Sequence, residues 1–228
     1  MSYPDLAGRL ADVREQIATR QRSAGWTHPV TIVAVTKTHP AEAVRAAAAA
    51  GLTAVGENRV QEALAKQVEC PDVPVEWHLI GTLQRNKAKL AVNRFALIHS
   101  VDSLGLAQDL DRRAAPGTVQ PILLQVNCSG EPQKGGVEPA ELPALLQAVS
   151  GLPRLAVRGL MTMAELTDDV AVQRATFRML RELRDEAEAR GQALPELSMG
   201  MSGDYQVAVE EGATLVRLGT LLFGERPR

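Results

Sequence analysis

The chain has 228 residues, 45% of them hydrophobic, and a formal net charge of −2. That length suits one domain with a sizeable core, and the apolar content excludes a disordered chain. Acidic and basic residues are interspersed, which leaves no basic footprint for nucleic acid and no polybasic stripe for a membrane surface.

Leu6, Leu10, Val13 and Ile17 recur at three- and four-residue spacing, so the chain opens with an amphipathic helix. It ends before Gly25-Trp26-Thr27-His28-Pro29. Residues 30–36 are short, β-branched and apolar on both faces, the pattern of a buried parallel strand. From there strands and helices alternate. A helix over 41–50 stops at Gly51. A strand over 53–55 and a helix over 58–68 follow, then a strand over 76–80 and a helix over 85–92. The next strand is 95–99, and Ser103 is placed to cap a helix over 103–113. A strand at 121–127 precedes a helix at 139–149. After a strand at 156–160, Thr167-Asp168-Asp169 cap a long helix running to residue 190. The last elements are a strand at 197–199, a helix at 204–211 and a strand at 214–218.

Eight strands with intervening helices fit a single (β/α)8 TIM barrel with an extra N-terminal helix, and residues 1–228 read as one domain. A doubly wound open sheet usually has a Gly-rich first turn, whereas here the first strand runs into Thr36-Lys37-Thr38-His39-Pro40. The two cysteines, Cys70 and Cys128, form no CxxC pair or disulfide framework. The N-terminus lacks a signal-peptide pattern, and no apolar run is long enough to span a bilayer. A cytoplasmic protein with reduced thiols is therefore expected.

In a barrel, chemistry gathers at the carboxyl ends of the strands. Lys37, one of only five lysines, follows the first strand. Burial disfavours the charged ammonium, and a neutral amine can attack an aldehyde. An ordinary lysine at the rim, or one paired with Glu57, would look the same in sequence. Met201-Ser202-Gly203 precedes a helix and Gly219-Thr220 follows the last strand, where barrels often bind phosphate. These glycines also suit plain turns. Arg217, between Val216 and Leu218, either pairs with Glu165 or Glu210 or faces a ligand. His78 reads first as a core histidine held by a backbone carbonyl, and His39 and His99 stand isolated. Glu131 and Lys134 lie in a Gly-rich loop that suits either a lid or a solvated surface. No His/Cys/Asp cluster has metal spacing, and there is no GxSxG elbow, Walker loop or GxGxxG.

Ordered blocks along nearly the whole chain resemble one family. They include Ala34-Val35-Thr36-Lys37, Gly56-Glu57-Asn58-Arg59-Val60-Gln61-Glu62 and Trp77-His78-Leu79-Ile80-Gly81. Val126-Asn127-Cys128-Ser129-Gly130-Glu131 and Gly159-Leu160-Met161-Thr162-Met163 continue the series. Ser198-Met199-Gly200-Met201-Ser202-Gly203 and Val216-Arg217-Leu218-Gly219-Thr220 complete it. The chain resembles the pyridoxal phosphate homeostasis proteins, once called proline synthetase co-transcribed homologues. Leu79 stands where that family often has Phe.

The resemblance implies a fold like the barrel domain of alanine racemase, with pyridoxal 5'-phosphate held on Lys37 as a Schiff base. It further implies phosphate contacts from Ser202, Gly219 and Thr220, Arg217 against the pyridine nitrogen, and Asn58, His78 and Met199 around the ring. The implied role is binding, buffering or delivery of the cofactor, with effects on amino-acid and keto-acid balance. Apo-enzymes that use the cofactor are the candidate recipients. The alternatives are an amino-acid racemase of low activity and a cofactor-free Schiff-base aldolase using Lys37 with Glu57. Alanine racemase carries a further β domain that supplies a tyrosine acid/base, and the only tyrosines here are Tyr3 and Tyr205. That difference favours a carrier over a racemase and a monomer over the racemase dimer.

Overall fold

In the computed structural model, residues 3–224 are described. Among them, eight parallel strands pair in chain order, and β8 returns to β1 to close a barrel. The strands are β1 (Thr31–Val35), β2 (Ala54–Glu57), β3 (Glu76–Leu79), β4 (Leu97–Val101), β5 (Gln120–Gln125), β6 (Leu155–Met161), β7 (Glu196–Ser198) and β8 (Leu215–Leu218). Closure pairs Ile32 with Val216 and Val33 with Arg217, so no strand is left with an open edge. The expected (β/α)8 architecture is therefore the observed one.

The helices are α1 (Leu6–Ala24), α2 (Glu42–Ala49), α3 (Val60–Glu69), α4 (Ala88–Ala91), α5 (Leu104–Arg113), α6 (Leu142–Ser150), α7 (Val170–Ala189), α8 (Tyr205–Glu210) and α9 (Thr220–Phe223). Ser103 caps α5 by accepting from the Leu106 N–H, and Asp169 caps α7 through Ala171. Several elements differ from the expectation. The fourth strand begins at Leu97 rather than Phe95 and runs on through Val101. The helix expected over 85–92 divides into a 3₁₀ turn (Arg85–Lys87) and the single turn α4, with no side-chain cap at Gln84. The one-turn α9 after the last strand had no periodic signal to announce it.

Two apolar layers hold the barrel. Val33, Ala54, Leu97, Leu123, Met161 and Leu215 come from six different strands and pack together inside it. A larger layer fills the space between sheet and helices and includes Ala34, Val55, Ile98, Leu124, Leu160 and Val216. Side chains alternate between the two, as residues on successive strand positions must. Outside, α1 buries Leu6, Leu10, Val13 and Ile17, the stripe read from spacing, and packs against α8 and α9. Each such burial contributes about 1.5–3 kcal/mol. No helix among the described residues is long and apolar enough to cross a membrane.

Candidate functional site

The carboxyl ends of the strands surround a cavity of about 500 Å³, larger than two other clefts of about 330 and 320 Å³ elsewhere. Lys37, Asn58, Ser202, Arg217, Gly219 and Thr220 all line it. They derive from the ends of β1, β2, β7 and β8, so six of the eight cofactor residues implied by the resemblance converge on one space. His78 and Met199 lie elsewhere. Met199 is fully buried in the layer between sheet and helices, and its N–H donates to the Leu215 carbonyl at 3.1 Å. His78 is buried with Nδ1 2.9 Å from His99 Nε2. Its partner is thus a second histidine and not the backbone carbonyl expected for it, and His99 is not isolated.

Lys37 is half-buried in the turn after β1. The residues on either side of it are fixed from behind the barrel wall. Thr36 Oγ1 donates to Glu57 Oε1 at 2.6 Å, and the Thr38 N–H donates to Glu62 Oε1 at 2.7 Å. Lys66 Nζ ties these groups together by donating to the Thr36 carbonyl (2.8 Å), Glu57 (2.7 Å) and Glu62 (2.9 Å). The lysine that neutralises Glu57 is therefore Lys66. Burial still pushes the Glu57 carboxyl upward, outweighing the bonds from Lys66 and Thr36. Thr38 sits at φ 66°, a left-handed conformation that a β-branched residue rarely adopts. The surrounding bonds hold that conformation and so set where the Lys37 stem departs.

On another wall, the N–H groups of Gly219 and Leu221 donate to Ser202 Oγ at 3.3 and 3.4 Å. This brings two backbone donors and the hydroxyls of Ser202 and Thr220 to one corner, a donor set suited to an anion. Gly200 makes the corner possible. Its φ is 92°, and a Cβ there would lie 2.6 Å from Ala208 Cβ.

Arg217 reaches the cavity from β8 and is 4% exposed. It donates to Ser198 Oγ at 2.7 Å and to the Thr162 carbonyl at 3.0 Å. The ion pair with Glu210 suggested by the sequence is not formed, because Glu210 lies among the outer helices and takes Arg20 and Arg174. Burial lowers the Arg217 pKa to about 10, which leaves the guanidinium charged at neutral pH. The same burial lowers His78 to about 4 and His99 well below its usual value, so both imidazoles are neutral. Cys128 is raised to about 12 by burial and stays a protonated thiol.

The cavity has further walls beyond these six residues. Gln125 ends β5 two residues earlier than expected, and its Nε2 donates to the Lys134 carbonyl at 2.9 Å. That bond fastens the Gly-rich loop over 130–136 beside the opening. Thr82 and Ile80 follow β3, Met163 follows β6, and His39 follows Lys37. Gly81 must stay small, because a Cβ there would meet the Asn58 carbonyl at 2.4 Å.

Residues 9–227 match the family model for the alanine racemase N-terminal domain. The pyridoxal phosphate homeostasis protein of Aquifex aeolicus (strain VF5) is 46% identical over 221 residues, covering 96% of this chain and 97% of the relative. PipY of Synechococcus elongatus PCC7942, solved with PLP bound, superposes with a TM-score of 0.85 at 45% identity, covering 96% of this chain and all of that one. Alanine racemase from Clostridium difficile 630 superposes with a TM-score of 0.76 at 15% identity, covering 99% of this chain and 57% of the racemase, a likeness of fold alone. Full-length matches at this identity, on a barrel whose strand ends converge as described, identify the chain as a member of the pyridoxal phosphate homeostasis protein family.

Proposed function

We propose that this chain binds pyridoxal 5'-phosphate in the strand-end cavity, through Lys37, and serves to hold, buffer or deliver it. The observation that carries the reading is one cavity with a half-buried lysine on one wall, an anion-suited N–H and hydroxyl corner on another, and a buried arginine between them. The donor set fits the cofactor group by group. When bound, the cofactor supplies an aldehyde that condenses with an amine, with loss of water, into a Schiff base. Lys37 Nζ is the amine. Ser202, Gly219 and Thr220 accommodate the phosphate. Arg217 donates toward the ring nitrogen, and because an arginine scarcely gives up its proton, that nitrogen stays unprotonated. Asn58 lines the ring.

The pyridoxal phosphate named for the Aquifex relative and bound in PipY supports the same ligand here. The proposed setting is the cytoplasm, the proposed unit a monomer of one domain over residues 1–228, and the proposed recipients apo-enzymes that use the cofactor. Spectrophotometric titration with pyridoxal phosphate tests the reading. A saturable one-site change in the visible spectrum, weaker with unphosphorylated pyridoxal, is expected, whereas an unaltered spectrum would remove the proposal. Incubating the loaded protein with amino acids in deuterated water separates carrier from racemase, since only a racemase exchanges the α-proton at an enzyme-like rate.

A further inference from the structure

Behind the cavity, three buried side chains and one exposed carboxylate continue the line that begins at Arg217. Arg217 Nη1 lies 2.7 Å from Ser198 Oγ, Ser198 Oγ 2.8 Å from His99 Nδ1, and His99 Nε2 2.9 Å from His78 Nδ1. His78 Nε2 then faces the Glu76 carboxylate at 3.8 Å. These residues come from β8, β7, β4 and β3, and the chain crosses the barrel interior. It starts at the cavity and ends at Glu76, the first residue of β3, whose side chain is 71% exposed. Ser198 and His99 are fully buried.

The chemistry of the groups gives this chain one direction. An arginine only donates, so Ser198 Oγ accepts from it. The hydroxyl proton of Ser198 then needs an acceptor, and His99 Nδ1 is the group in reach. His99 must therefore carry its proton on Nε2, and it donates that proton to His78 Nδ1. His78 in turn carries its proton on Nε2, facing the Glu76 carboxylate. The reverse direction would leave the serine proton without an acceptor and aim an imidazole lone pair at a carboxylate, both costly in a buried site.

We infer that Ser198, His99 and His78 form a one-way hydrogen-bond relay that holds the Arg217 guanidinium in position for the ring nitrogen of its ligand, with Glu76 closing the far end. His78 and His99 are then positioning residues: they do not touch the ligand and act through Arg217. The depressed basicity of both imidazoles fits this role, because a neutral histidine can accept at one nitrogen while donating from the other. The relay also adds to the Asp204 carboxylate charge that acts on Arg217, since the aligned dipoles present oxygen and nitrogen lone pairs toward the guanidinium. The functional part of this inference rests on the proposed pyridoxal phosphate site, whereas the tautomer assignment does not.

Two measurements on the full-length protein test it separately. Long-range ¹H–¹⁵N spectra of the four histidines, without ligand, report the tautomers directly. His78 and His99 are expected neutral and protonated on Nε2 throughout pH 6–8, and an Nδ1-protonated or charged ring at either position overturns the relay. With pyridoxal phosphate added, His99→Leu is expected to shift the visible band of the bound cofactor and weaken its binding about tenfold, the loss of one buried hydrogen bond. His99→Asn, whose side chain can still accept near the Nδ1 position, is expected to restore most of the binding. A wild-type band and affinity in His99→Leu would refute the positioning role. Absence of cofactor binding in the wild type would refute the proposed site and leave the tautomer result standing on its own.

Discussion

Glu57 and Lys66 lie behind Lys37 and decide how firmly it is held. Both are almost fully buried, with side chains 0% and 7% exposed, and Glu57 Oε2 has no hydrogen-bond partner. Burying such a pair brings little net gain, but removing one partner strands the other. The two truncations differ. In Glu57→Gln, Lys66 keeps Glu62 and the Thr36 carbonyl. In Lys66→Met, Glu57 keeps only the Thr36 hydroxyl. Lys66→Met is therefore expected to lower unfolding free energy by about 3 kcal/mol and Glu57→Gln by clearly less. Urea unfolding of both variants checks the order, and a Glu57→Gln loss equal to or larger than that of Lys66→Met would show that Lys66 does not serve chiefly to neutralise Glu57.

At the scale of elements, the approach of α8 to the β7 strand end shapes the anion corner. Gly200→Ala forces a Cβ to 2.6 Å from Ala208 in a backbone conformation that L residues avoid. The expected result is a loss of about 1–3 kcal/mol in stability together with weaker binding of pyridoxal phosphate, because Ser202 is two residues away. Denaturation and titration of this variant would disagree with the account if binding were unchanged.

The sequence made this corner legible because its glycines and hydroxyls sit at strand ends, where barrel chemistry gathers. Lys37 and Arg217 were legible for a related reason: a charge inside an apolar β-branched run needs an explanation. The apolar runs also located all eight strands, but they misplaced β4 by two residues, since residues 95–101 are apolar enough to fit either register. The split of the 85–92 helix between Lys87 and Ala88 and the single turn of α9 were not legible because the pieces are too short to show a period. The His78–His99–Ser198–Arg217 line was not legible at all. His99 and Ser198 are 99 residues apart, and only closure of the barrel, with its alternation of inward and outward side chains, brings them together.

For the whole molecule, the strands close on themselves and the outer helices are tied across the seam. Arg20 of α1 bonds Glu210 of α8 at 2.7 Å, and Arg174, Arg178 and Arg181 of α7 converge on Glu211. Burial alone would raise both carboxyls, but the arginine bonds outweigh it and hold them below their ordinary value of 4.5. A depressed carboxyl contributes stability that is complete above that value and lost as pH falls through the depressed one. Thermal midpoints measured from pH 6 down to pH 3 should therefore fall, and Arg174→Ala, which removes a partner from both glutamates, should flatten the decline. An unchanged slope in that variant would assign the acid sensitivity elsewhere.

The central claim concerns one atom, Lys37 Nζ. Borohydride treatment of the protein equilibrated with pyridoxal phosphate, followed by peptide mass mapping, tests it most directly. The account predicts a stable pyridoxyl adduct on the peptide carrying Lys37, with no adduct at that position in Lys37→Ala. Reduction that leaves Lys37 unmodified, or that labels Lys66 or Lys134 in its place, would contradict it.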